Sequence, residues 1–295
     1  MILFTHNDLD AVGCEMCVRE AGYNIEKVFY EDYATFEQTV CEMIEYAQNH
    51  GITSVFIADL SFAERPHTLQ MILDNFRSVV HIDHHSYPEG FSVTPKNAFK
   101  QVIDIERCAC RICYDVLKLS SVPLKGIITV IDVLDRWVET SPLFDNALRL
   151  NEYFWRVGYQ DFLKKFLKYE VPSDYRETLA LIESENTAAI NEMLSLKRIM
   201  HDRKVIIQID PRFMLKVMLD GFKNGMKGFV MYTGSVIRVR LSQRLFTKEQ
   251  AEELRMRITS FITGHPHAFT YKYKSASPEA LFAELKRVSD LINGY

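Results

Sequence analysis

Cysteine is scarce, with six residues in 295 (Cys14, Cys17, Cys41, Cys108, Cys110 and Cys113). That is too few for a disulfide scaffold in a chain this long, so reduced thiols are expected. Long hydrophobic runs are missing too: nothing approaches the about 18–20 apolar residues that span a bilayer. The opening MILFTHNDLD carries charged residues within ten positions and lacks a basic n-region and a cleavage site. No signal peptide is expected, and the expected location is cytoplasmic, away from membranes. A basic excess is also lacking. The formal net charge of −4 argues against coating long nucleic acid, so no binding to long duplexes is expected. Repeats and low-complexity tracts are absent. What remains is 47% hydrophobic and 25% charged, an ordinary globular composition that excludes wholesale disorder or a fibre. At roughly 100–200 residues per domain, the length suits about two domains.

The charge is unevenly spread. Residues 1–140 hold 11 Lys and Arg against 21 Asp and Glu, a net of −10, whereas residues 201–274 hold 14 against 6, a net of +8. An acidic half suits cations and a basic half suits phosphates. In the first 140 residues, short apolar runs alternate with amphipathic stretches. Ile2–Thr5, Lys27–Tyr30, Ser54–Ala58 and Val79–Ile82 read as strands. Ala11–Glu20, Thr35–Gln48 and Pro66–Phe76 read as the helices between them. This rhythm predicts an α/β fold with a doubly wound, mostly parallel sheet. Helices are then expected at Cys108–Leu117, Leu124–Val138 and Phe144–Lys168, with one long helix over Tyr175–Met200. Strands are expected at Lys204–Ile209, Leu215–Asp220, Phe229–Tyr232, Val236–Leu241 and Phe269–Lys274, and helices at Lys248–Phe261 and Pro278–Asn293. The expected division is a metal-binding domain over 1–170, a helical linker over 171–201 and a smaller α/β substrate domain over 202–295. The apolar helical region 105–168 either buries itself internally or forms a homodimer interface.

Chemistry gathers at the C-terminal ends of three expected strands. His6, Asp8 and Asp10 follow the first, Asp59 the third, and Asp83, His84 and His85 the fourth. In an open parallel sheet these ends face one crevice. A single Asp after a strand commonly caps a helix. Capping does not explain three such clusters at successive strand ends. Carboxylates this close repel unless cations hold them, and carboxylate with imidazole suits a divalent metal such as Mn2+. Cys14 and Cys17 lie three apart on an expected helix face and read as core. Cys108-Ala109-Cys110-Arg111-Ile112-Cys113 lacks the second ligand pair of a zinc site. Arg238 and Arg240 alternate on one strand face, where both guanidinium groups can fork onto one phosphate.

The sequence resembles the DHH phosphoesterases. The resemblance rests on His6-Asn7-Asp8-Leu9-Asp10-Ala11-Val12-Gly13, on Asp59 and on Asp83-His84-His85. It extends to a fourth-motif Asp within Asp132-Val133-Leu134-Asp135-Arg136-Trp137 and a GGHP-type loop at Thr263-Gly264-His265-Pro266. Thr263 stands where a glycine is usual. The motif spelling is most similar to the nano-RNase B branch, which trims very short oligoribonucleotides to mononucleotides.

The resemblance implies two Mn2+ ions per chain, with Mg2+ or Co2+ as alternatives. His6 and Asp8 would hold one, Asp10, His84 and Asp135 the other, and Asp59 would bridge them; Asp132 is the fallback for Asp135. Asp83 would support the site by hydrogen bonding, and His85 would meet the scissile phosphate, making Asp83, His84 and His85 the catalytic set. Arg238, Arg240, Gly264 and His265, with His85, would bind substrate. The implied activity is hydrolysis of short single-stranded oligoribonucleotides by two-metal activation of water. A 3′-phosphoadenosine 5′-phosphate phosphatase or a cyclic-dinucleotide phosphodiesterase would use the same site. A non-catalytic module that binds small nucleotides and uses metal for folding is the rival of a different class.

Overall fold

The computed structural model describes residues 1–31, 35–166, 168–209, 215–258, 263–275 and 277–295, with backbone only at 215 and 263–265. The chain divides into two compact units, Met1–Tyr175 and Arg176–Tyr295.

The first unit is built on five parallel strands: β1 (Ile2–His6), β2 (Lys27–Glu31), β3 (Ser54–Ala58), β4 (Ser78–Asp83) and β5 (Ala98–Ile103), in the order β2-β1-β3-β4-β5. Helices α1 (Leu9–Glu20), α2 (Phe36–His50) and α3 (Pro66–Asn75) connect the early strands. β1, β3 and β4 lie inside the sheet, and their apolar runs, interrupted in β4 by the buried His81, are what a strand covered on both faces requires. Phe4, Ile57 and Val79 share a core with Val40 and Met43 of α2 and with Leu69 and Ile72 of α3. α1 is buried nearly all round, from Leu9 to Val18, and packs against α4 (Ala109–Val116) and α5 (Val122–Asp135). Gly13 permits that approach: a Cβ there would lie 2.8 Å from Cys110 Cβ and 3.0 Å from Ile131 Cδ1. The expected helix Phe144–Lys168 breaks at Gly158, whose φ of 80° suits glycine, into α6 (Phe144–Val157) and α7 (Tyr159–Lys165).

The second unit begins with α8 (Tyr175–Ser195), which ends before Met200; Ile199–Asp202 is β6 instead. The mixed sheet has the order β10-β11-β9-β8-β7-β6, comprising β7 (Val205–Ile209), β8 (Gly228–Tyr232), β9 (Val236–Leu241), β10 (Thr263–His265) and β11 (Ala268–Lys272). Helices α10 (Lys248–Ile258) and α11 (Pro278–Asn293) share a core with Val205, Val230, Val239 and Phe269 on one face. Leu215–Asp220, expected as a strand, is helical: α9 spans Leu215–Lys223. The apolar positions that matter are Met218 and Phe222, both buried and four apart, a helical spacing that the alternation of Leu215, Val217 and Leu219 masks. Among the described residues, no helix is long and apolar enough to cross a membrane.

Candidate metal centre

The strand order places a topological switch between β1 and β3, because the chain runs from β1 to β2 on one side of β1 and then crosses to β3 on the other. Sheets of this kind open a ligand crevice at that point, beyond the strand C-termini. His6 ends β1, and Asp8 caps α1, its Oδ1 accepting from the Ala11 N–H at 3.0 Å. Asp59 follows β3 with φ of 56°, a left-handed conformation costly for a non-glycine residue and enriched where function dictates it. Asp83 ends β4, with His84 and His85 behind it. Asp135 is the last residue of α5, which closes with Trp137 in the left-handed region at φ 56°. The Trp137 and Val138 N–H groups bond back to the Leu134 and Val133 carbonyls, a Schellman ending that fixes the final turn carrying Asp135.

These residues meet. His6, Asp8 and Asp59 form one group, and Asp10, His84 and Asp135 a second, each with ligand atoms within 4.8 Å of one another. Asp59, Asp83, His84 and His85 form a third group that overlaps both. His6 Nδ1 lies 2.9 Å from Asp8 Oδ2 and 3.9 Å from Asp59 Oδ2. His84 lies between carboxylates, its Nε2 3.3 Å from Asp59 Oδ1 and its Nδ1 3.4 Å from Asp135 Oδ2. Asp132 points elsewhere: its Oδ1 accepts from the Cys108 N–H at 2.8 Å, and its Oδ2 lies 3.6 Å from Arg136.

The electrostatics divide the acids into two kinds. Burial works against the charge on Asp8, but the hydrogen bond and charge of His6, with the Ala11 N–H, together outweigh it and hold the carboxyl below its usual range. Asp83 is likewise held low despite complete burial, because His85, bonded to it, favours the charge. Its Oδ1 accepts from His85 Nδ1 at 2.7 Å and from the His84 N–H at 2.8 Å, and its Oδ2 accepts from the Tyr87 hydroxyl at 3.1 Å. The others are pushed up. Burial and Asp135 raise Asp10 to about 6, burial and Asp8 raise Asp135 to about 7, and burial with Asp8 and Asp10 raises Asp59 well above the carboxylate range. Asp59 Oδ2 and Asp135 Oδ2 are buried without a hydrogen-bond partner. Mutually repelling carboxylate oxygens without hydrogen-bond donors, beside imidazole nitrogens, are what a divalent cation satisfies, and the donor set fits an ion such as Mn2+.

Some features of the centre carry no sequence signal. Asp10 takes the backbone N–H groups of Ala109 and Cys110 at 2.8 Å each, so the N-terminus of α4 orients it from a hundred residues away. The Cys108–Cys113 segment therefore anchors a carboxylate through its backbone, while its thiols are buried and reduced. Tyr87 reaches Asp83 from a loop that no motif marks.

In the second unit, Arg238 and Arg240 stand on the face of β9 opposite Ile237, Val239 and Leu241. Burial, then the neighbouring Arg238, lowers Arg240 to about 10, so it stays charged near neutrality. Neither arginine has a carboxylate partner among the described residues. Across the sheet they register with Thr270 and Ala268 of β11. Gly264 and His265 belong to β10, paired with Phe269 and Ala268; the His265 side chain lies outside the described residues.

No protein-family model matches the sequence, and no curated protein does. Solved structures do. RecJ exonuclease bound to manganese aligns with all of this chain and 90% of its own, at TM-score 0.57 and 15% identity. RecJ of Thermus thermophilus in complex with Mn2+ aligns with all of this chain and 52% of its own, at TM-score 0.56 and 15% identity. The pGpG-specific phosphodiesterase PggH of Vibrio cholerae aligns over 98% of both chains, at TM-score 0.51 and 11% identity. The chain has a RecJ-like fold. At these identities the likeness is one of fold.

Proposed function

We propose that the protein is a divalent-metal-dependent phosphodiesterase that hydrolyses short oligoribonucleotides to mononucleotides. The observation that carries the reading is the convergence of His6, Asp8 and Asp59 with Asp10, His84 and Asp135, two of whose buried carboxylate oxygens have no hydrogen-bond partner among the described residues. The fold likeness to an exonuclease bound to manganese and to a phosphodiesterase for a dinucleotide supports both the chemistry and the short substrate.

His6 and Asp8 would hold one cation, Asp10, His84 and Asp135 a second, and Asp59 would serve both. Bound there, the cations would supply a water of lowered pKa and neutralise charge on the phosphate. The chain's own groups do the rest. The N-terminus of α4 fixes the Asp10 carboxylate, and the Schellman turn fixes Asp135. Asp83 commits the Nδ1 of His85, leaving Nε2 for substrate, and raises the His85 pKa against burial. A His85 that holds its proton near neutrality can deliver it from Nε2 to the oxygen leaving phosphorus. No serine or cysteine nucleophile is needed. Arg238 and Arg240 would grip a phosphate of the substrate, a role that their charge and missing carboxylate partners support.

The test is hydrolysis of 5′-labelled RNAs from the dinucleotide upward with Mn2+, beside an Asp83→Ala/His84→Ala control. 3′-Phosphoadenosine 5′-phosphate, a cyclic dinucleotide and matched DNA run in parallel. Conversion of the shortest RNAs to mononucleotides, lost in the control, is the expected result. Turnover of one small nucleotide alone would replace the substrate. Silence on every substrate with Mn2+ bound would leave a binding module and refute the enzyme.

A further inference from the structure

We propose that His81 and Gln101, which stand outside the ligand cluster, are positioning residues that hold the Asp59 carboxylate by clamping the turn behind it. The inference rests on the proposed place of Asp59 in the metal centre.

Asp59 needs holding. Its left-handed backbone is unfavourable for a residue with a Cβ, and its carboxylate sits against Asp8, Asp10, Asp135 and Asp83. Both effects push the segment Asp59–Phe62 to relax. Three hydrogen bonds oppose that, and each involves β4 or the residues that follow it. The Asp59 N–H donates to the Ile82 carbonyl at 3.0 Å. The Leu60 carbonyl lies 3.0 Å from His81 Nε2. The Phe62 N–H donates to the Tyr87 hydroxyl oxygen at 2.9 Å.

A second side chain backs the Tyr87 contact, through Asp83, and another backs the His81 contact from outside the cluster of acids and histidines. A carbonyl only accepts, so His81 must carry its proton on Nε2. Burial lowers the His81 pKa, so the ring is neutral and Nδ1 is a bare acceptor. Gln101 Nε2 lies 3.1 Å from that Nδ1 and donates to it. Gln101 is the register partner of His81 on β5, as Ile57 is on β3, so the sheet itself aligns the chain Gln101–His81–Leu60–Asp59. The ring is fully buried and braced edge-on by Phe62, with centroids 5.3 Å apart. A buried histidine with one nitrogen on a backbone carbonyl and the other on an amide donor can adopt a single tautomer. Outer partners of this kind set metal affinity without touching metal.

The experiment measures Mn2+ binding by calorimetry and the His81 tautomer by 15N NMR of the metal-free protein, in wild type, Gln101→Leu, Gln101→Glu and His81→Phe. Gln101→Leu should weaken Mn2+ binding about 10-fold and lower the metal-free unfolding midpoint only modestly, since a single buried acceptor loses its donor. Gln101→Glu should weaken it further. Its carboxylate only accepts, so it should shift the ring proton from His81 Nε2 to Nδ1 and turn a bare nitrogen on the Leu60 carbonyl, a tautomer change visible in the 15N shifts. Gln101→Leu added to His81→Phe should cost nothing more, because Gln101 acts through His81. If His81→Phe fails to fold, the two Gln101 variants decide. Wild-type Mn2+ affinity in both Gln101 variants would overturn the inference while leaving the metal centre intact. A wild-type protein that binds no Mn2+ would overturn the metal centre and the inference with it.

Discussion

Replacing Asp135 by Asn should stabilise the metal-free protein and destabilise the protein in Mn2+, and the size of the first effect follows from the structure. Burial, then the charge of Asp8, moves the Asp135 carboxyl from 3.8 to about 7. Because the folded-state pKa lies above the unfolded one, the native state binds the extra proton, and stability falls as pH rises through the window between the two values. Below about pH 4 both states hold the proton and the term vanishes. Above about pH 7 the full cost applies: about 3 pK steps at 1.36 kcal/mol each, or about 4 kcal/mol as an upper bound. Asn has no such cost and is nearly isosteric, so Asp135→Asn should gain about 2–4 kcal/mol in chelator near neutral pH and converge on wild type near pH 4. Mn2+ reverses the order. At 1,000 times its dissociation constant, one bound ion adds about 4.1 kcal/mol to wild type, and the variant forfeits that at the site it has lost, which offsets the whole of its gain. Urea unfolding across pH, with chelator and then with Mn2+, reads both effects. A variant no more stable than wild type in chelator near pH 7.5, or one that gains as much from Mn2+, would refute the reasoning.

The other predictions need less argument. Mn2+ binding near pH 6.5 should release protons, since Asp10 and Asp135 are pushed up to about 6 and about 7 and ligands bind deprotonated; calorimetry in buffers of different ionisation enthalpy counts them, and a count of zero would contradict the assignment. Gly13→Ala forces a Cβ to 2.8 Å from Cys110 and 3.0 Å from Ile131, so it should cost about 1–3 kcal/mol and weaken Mn2+ binding by parting the helices that carry Asp10 and Asp135. His85→Gln should lower kcat by roughly 10²–10⁴-fold with Mn2+ affinity unchanged by calorimetry. Arg238→Ala/Arg240→Ala should raise KM for RNA, each lost charged hydrogen bond costing about 1.5–3 kcal/mol, while Mn2+ binding and the unfolding midpoint stay as in wild type.

How much of this was legible depends on where each residue sits in the fold. Ile2–Phe4, Val55–Ala58 and Val79–Ile82 are interior strands of a parallel sheet, covered on both faces, so an apolar run, interrupted only by His81, announces each of them. β5 is an edge strand, and Lys100 and Gln101 interrupt it with its residues half-exposed or exposed; it passes unread for that reason. α9 and β6 misled because segments of a few residues satisfy two periodicities at once. In the centre, the acids and histidines show themselves because they follow strand ends directly. What orients them does not. The α4 N–H groups on Asp10 are backbone atoms a hundred residues away. The bond from Tyr87 to Asp83 depends on a loop path, and the His81–Gln101 pair depends on strand register. None of these leaves a spacing to count.

The same asymmetry explains how the centre can exist at all. Five carboxylates converge where β1, β3 and β4 end, and in the absence of cations their repulsion and burial oppose folding. Asp8 and Asp83 escape the cost through His6 and His85, which hold them ionised. Among the described residues, Asp59 and Asp135 share the single imidazole of His84 and Asp10 rests on backbone N–H donors, and these are the three whose pKa values rise. Each of the three is instead gripped through rigid backbone: the N-terminus of α4 for Asp10, the Ile82 carbonyl and the clamped Leu60 for Asp59, the Schellman turn for Asp135. Geometry held by backbone survives the loss of charge on the side chain. The metal-free protein should therefore keep its ligands in place while protonated, and metal binding should proceed with proton release and little rearrangement. Substituting the backbone supports, as in Gly13→Ala or His81→Phe, should harm Mn2+ affinity more than removing a neighbouring surface charge such as Glu106 or Asp115.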